Sequence, residues 1–153
     1  MERKFTWNDE NKEVVKVFLN EVIDILFQEK QASSNQEQLK KREIEKFMKL
    51  LGFSERHGGT HFIQSILEQD LRVVDIQNKK LCELCRIDPR DRVRCTNIKR
   101  KMRYAIFAAL EKRTPLAMEL YTEYFWGEHV KLTTKRFLKV AIRYLERLEK
   151  YPQ

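Results

Sequence analysis

The chain has 153 residues, 42% of them hydrophobic and 35% charged, and its 31 lysines and arginines outweigh 23 acids to give a net charge of +8. This composition supports one domain with its own core and excludes disorder. Four glycines and three prolines are too few for a turn-rich β-sandwich, and no apolar run suits a secretory signal or a membrane span.

Helical periodicity recurs almost throughout, and no segment alternates as a strand would. A first helix is expected over 8–29. Val14, Val15, Phe18, Leu19, Val22, Ile23 and Leu26 form one stripe, and Val17, Ile25 and Phe27 widen it. So broad an apolar girth suits a helix central in a bundle or paired with another chain, such as a second copy. The polar run 31–36 reads as a flexible linker. A second helix ends at Leu51, with Leu39, Ile44, Phe47, Met48 and Leu51 inward and Gly52 as the stop.

Residues 54–59 read as a loop, after which Thr60 caps a short helix carrying Phe62, Ile63, Ile66 and Leu67. Another helix is expected over 71–85, through Val74, Leu81, Leu84 and Cys85. Asp88 then offers an N-cap and Pro89 a first helical residue for a helix reaching about Arg113. Cys95, Ile98, Met102, Ala105, Ile106 and Ala109 fall on one apolar face, while Val93, Tyr104 and Phe107 suggest packing on a second. Thr114-Pro115 starts a helix to Trp126, stopped by Gly127, in which Tyr121, Tyr124, Phe125 and Met118 read as core. A last helix begins at Thr133 or Thr134 with Phe137, Leu138, Ala141, Ile142, Leu145 and Leu148 inward. The expected fold is all-α, a single compact bundle of six or seven helices over 1–153. The chain stops just after an amphipathic helix, as a domain taken from a longer protein would.

Charge is the densest functional signal. Within residues 86–103, Arg86, Arg90, Arg92, Arg94, Lys99, Arg100, Lys101 and Arg103 face only Asp88 and Asp91, a net +6. The last helix adds Lys131, Lys135, Arg136, Lys139, Arg143, Arg147 and Lys150 against Glu146 and Glu149. Were the two helices to pack side by side, Lys135, Arg136, Lys139 and Arg143 would extend one basic groove. Charge so concentrated points to an anionic partner, DNA or RNA, or else an acidic protein segment. Trp126 is a candidate anchor for a protein partner.

Three cysteines and no secretory signal point to a reducing compartment, and the basic charge to the nucleus ahead of the cytoplasm. His57, His61, Cys82 and Cys85 give H-x3-H-x20-C-x2-C, four residues able to hold zinc. Over residues 57–85 this is similar to the zinc-binding N-terminal module of retroviral-type integrases, although Arg86 stands where that family often has glutamine. The resemblance implies a structural zinc; the alternative is that Cys82 and Cys85 are small buried side chains of the core. The two glycines of Arg56-His57-Gly58-Gly59-Thr60 could aim backbone N–H groups at a phosphate, or simply connect two helices. With no nucleophile elbow, dinucleotide fingerprint or Walker motif, the chain reads as a non-enzymatic module requiring no cofactor.

Overall fold

The computed structural model describes residues 9–124 and 131–151. Among them are seven helices and no strand, so the fold is all-α. Chain contacts divide the protein into two compact units, Met1–Lys40 and Lys41–Gln153.

Helix α1 (Asp9–Leu51) is unbroken, so the interruption expected at 31–36 does not occur. Gln, Ala, Ser and Asn each cost under about 0.7 kcal/mol in a helix relative to alanine, and extending a helix needs no new nucleus. Residues 9–51 hold neither glycine nor proline to stop it. The stop comes at Gly52, whose φ of 97° only glycine adopts readily. Its N–H donates to the Lys49 carbonyl and that of Phe53 to the Met48 carbonyl, both at 3.0 Å, a Schellman closure.

In the first unit, Val14, Val17, Phe18, Leu19, Ile23, Ile25, Leu26, Phe27 and Leu39 are each more than half exposed. The stripe is present but lies bare, and Leu39 does not point inward as its spacing suggests.

The second unit has a continuous core. Ile44, Phe47, Met48 and Leu51 from the last turns of α1 enter it. So do Ile63 and Ile66 of α2 (Gly58–Glu68), Ile76 of α3 (Val73–Asn78) and Leu84 of α4 (Leu81–Leu84). Helix α5 (Arg92–Glu111) buries Cys95, Ile98, Met102, Ala105, Ile106 and Ala109, the face its periodicity marks. The single helix expected over 71–85 is two, because residues 79 and 80 are extended. A side-chain cap favours the restart at the break: Glu83 accepts from the Lys80 N–H at 3.2 Å, as Asp75 does from the Arg72 N–H at 2.8 Å at the start of α3.

Helix α5 starts three residues later than the Asp88-Pro89 signal suggests. The Asp88 carboxylate is engaged in a turn, accepting from the Arg90 N–H at 3.0 Å, and Asp91 caps the helix through the Arg94 N–H at 3.1 Å. Helix α6 (Pro115–Tyr124) opens as Thr114-Pro115 indicates, the Thr114 hydroxyl accepting from the Ala117 N–H. Helix α7 (Thr134–Lys150) is capped by Thr133, whose hydroxyl accepts from the Arg136 N–H at 3.2 Å. Its Phe137, Leu138, Val140, Ala141 and Ile142 are buried, and it packs against α2, α3 and α5.

The second apolar face expected on α5 is not covered. Val93, Tyr104 and Phe107 are exposed, as are Met118 and Tyr121 on α6. No helix among the described residues is long and apolar enough to cross a membrane.

Candidate functional site

The packing of α7 against α5 brings the two basic runs together. Thr96, Lys99, Arg100 and Arg103 are one helical face of α5 at i, i+3, i+4 and i+7. Across from them lie Lys131, Leu132, Thr133, Thr134 and Lys135, the approach to α7 and its first turn. Together with Leu81 these residues line a hollow of about 570 Å³. A second hollow, of about 540 Å³, shares Lys131, Thr133 and Lys135 and continues along α7 through Arg136, Lys139, Val140 and Arg143. The two form one trough lined by Lys99, Arg100, Arg103, Lys131, Lys135, Arg136, Lys139 and Arg143, with no carboxylate in the lining.

Like charges crowded in this way raise the local potential, because no carboxylate stands in the lining to offset them. The α7 N-terminus opens on the same trough, and its dipole adds to the potential. Arg103 is steadied by Phe107, its guanidinium carbon 5.6 Å from the ring centroid. Arg147, further along α7, is turned elsewhere: it pairs with Glu123 at 3.1 Å and Glu119 at 3.8 Å.

The remaining basic residues are spread around the α5 N-terminus. Arg92 and Arg94 are exposed in its first turn. Arg90 lies in the preceding turn beside Asp88, at 3.8 Å. Arg86 ends α4 in the left-handed conformation, φ 58°, its N–H donating to the Glu83 carbonyl. Lys101 does not join Lys99 and Arg100. Its backbone abuts α2, where a Cβ on Gly59 would overlap the Lys101 carbonyl and come within 2.7 Å of the Met102 nitrogen. Lys131, by contrast, is central to the trough; only the fold shows that it faces Lys99 and Arg100.

The same α2–α5 approach explains the second of the paired glycines. Gly58 and Gly59 are the first residues of α2, and buried Gly59 lets the two backbones touch. Gly59 serves packing, whereas exposed Gly58 meets only the Lys101 side chain, at 3.7 Å.

The four residues of the zinc spacing are not assembled. Among the described residues no three His, Cys, Asp or Glu side chains form a group able to hold a metal. His57 packs its ring edge on Tyr104 at 5.1 Å, and His61 packs on Phe62 at 6.2 Å. The Cys85 thiol contacts the Met102 sulfur at 4.0 Å, and Cys95 donates to the Asp88 carbonyl at 3.6 Å. The spacing shared with the integrase-type module is therefore not matched by a gathering of these side chains in this structure. Burial, reinforced by Cys82 and Cys95, pushes the Cys85 thiol up to about 11, and a hydrogen bond with Cys82 raises Cys95. Thiols held protonated in this way are poor nucleophiles.

Trp126 lies outside the described residues, as does Phe125. Comparison with protein-family models, curated proteins and solved structures finds no match to this chain.

Proposed function

We propose that this chain is a non-enzymatic module that binds nucleic acid through the trough between α5 and α7. The supporting observation is the trough itself: eight cations from two helices and the segment between them, with no acid in its lining. A phosphate backbone matches such a surface in charge, since affinity for nucleic acid is dominated by neutralised phosphates. The adjoining N-terminal half of α5 adds base-reading chemistry. Arg92, Thr96, Asn97 and Arg100 are exposed there, with Val93 between them at 74% exposure. Arginine and asparagine read guanine and adenine edges, and the apolar Val93 suits a thymine methyl.

The trough lysines and arginines position the chain on phosphates, and the exposed α5 residues discriminate. Such a module works where its partner is, the nucleus ahead of the cytoplasm, and needs no cofactor. The alternative is an acidic protein segment in the same trough.

Fluorescence anisotropy with single- and double-stranded DNA and RNA across a salt series separates the two. About five phosphate contacts give a slope of log K against log salt near −4 to −5 on duplex. Absence of binding to all four at low salt rejects the nucleic-acid reading and leaves the acidic segment.

A further inference from the structure

The trough leaves the first unit without a role, and that unit carries the most apolar exposed surface described. Eight large apolar side chains between residues 14 and 27 are each more than half exposed. Single exposed apolar residues are ordinary; a contiguous set on one helix marks an interface.

The spacing indicates the kind of partner. Asn11, Val15, Phe18, Val22 and Ile25 follow a four-three-four-three rhythm, the seam of a helix that packs along another helix. Leu19 and Leu26 flank it. Val15 and Val22 put β-branched residues at one seam position, and Phe18 and Ile25 put large ones at the other. A seam of this kind is complementary to itself, so a two-fold axis sets each residue beside its own counterpart or neighbour. Burying Phe18, Leu19, Ile25 and Leu26, each more than half exposed, with the less exposed Val15 and Val22 removes several hundred Å² per copy, approaching about 1,000 Å² over two copies, where specific interfaces begin.

Charge argues against the other apolar occupant, a lipid surface. From Asp9 to Lys30 the helix carries six acidic residues and three basic ones. Interfacial helices show the reverse, a lysine- and arginine-rich polar face.

We infer that the first unit of α1 associates with the same helix of a second copy, giving a dimer with two basic troughs. A dimer engages two stretches of one nucleic acid, so binding to a long strand gains by effective concentration. That last consequence rests on the proposed function; the association itself does not.

The test is sedimentation equilibrium of the full chain from 1 to 100 μM, with a Phe18→Glu/Ile25→Glu variant alongside. The wild type is expected at twice its 18.6 kDa mass and the variant at the monomer mass with unchanged helicity by circular dichroism. A wild type that stays monomeric at 100 μM overturns the inference, and co-sedimentation of that monomer with neutral phosphatidylcholine vesicles would assign the stripe to lipid. A variant that remains dimeric overturns the assignment to α1. Mass is read without nucleic acid, so either result stands whether or not the trough binds any.

Discussion

Helix α1 is two environments on one continuous backbone. Its last turns bury Ile44, Phe47, Met48 and Leu51 to 3% exposure or less, whereas Phe18, Ile23, Leu26 and Phe27 upstream are about 60% exposed. Both stretches have helical apolar periodicity; the one enters the core of the second unit and the other is exposed. Periodicity therefore states that a face is to be covered and leaves open what covers it. The trough between α5 and α7 shows the same gap for charge, since each basic run was visible and their meeting was not.

The largest contrast is expected from truncating α1 in its two environments. Leu51→Ala should cost about 2–5 kcal/mol in urea denaturation, since Leu51 is fully buried. Leu39→Ala on the same helix should change stability by less than about 0.5 kcal/mol. Equal losses would mean that the two stretches share one core after all.

Gly59→Ala comes next. A methyl there collides with the Lys101 carbonyl on α5, and backbone cannot yield as a side-chain tip can. A loss of about 3 kcal/mol is expected, while Gly58→Ala, whose Cβ meets only the Lys101 chain at 3.7 Å, should be tolerated.

Smaller effects sharpen the trough. Thr133→Ala removes the hydroxyl that caps α7, for a loss of about 1 kcal/mol. Arg86→Gly relieves the left-handed conformation at φ 58° and should stabilise by about 0.5–1 kcal/mol. Its effect on nucleic-acid affinity then reports whether that arginine touches the partner.

The cysteine cluster supplies a pH test. The folded Cys85 thiol is raised from 9.0 to about 11, so the folded state holds a proton that the unfolded chain has released. Its contribution is complete below about pH 9 and is lost as pH rises through about 11. The alkaline decline in stability should be shallower in Cys85→Ala. An identical decline would show that Cys85 has no part in it.

Much of the fold could be read directly. The buried face of α5, the Gly52 stop, the Thr114-Pro115 start and the Thr133 cap all rest on local chemistry that a sequence displays. The misreadings have local causes too. A polar run with no glycine or proline, at 31–36, extends a helix as readily as it ends one. Asp88 can cap a helix or close a turn, and here Asp91 takes the cap. The extended pair Lys79 and Lys80, with a side-chain cap from Glu83, divides what the apolar pattern joins. Phe107 and Tyr121 look like core residues by type, and only tertiary packing leaves them exposed.

The candidate site was half legible. Lys99, Arg100, Arg103, Lys135, Arg136, Lys139 and Arg143 stood out by charge density, and the fold brings them together. Lys101 is one residue from Arg100 yet belongs to the α2 side, because adjacent residues on a helix point about 100° apart. The zinc spacing failed because order along the chain does not bring side chains to one point.

The most direct measurement compares two triple charge reversals of equal size. Lys99→Glu/Arg100→Glu/Lys135→Glu changes the trough, and Lys41→Glu/Lys46→Glu/Lys49→Glu changes the exposed side of α1 within the second unit. Anisotropy at low salt should show the first variant losing at least 100-fold in nucleic-acid affinity and a salt slope shallower by about three. The second should stay within a few-fold of wild type. Equal losses from both would mean that net charge alone attracts nucleic acid, and the trough would hold no site.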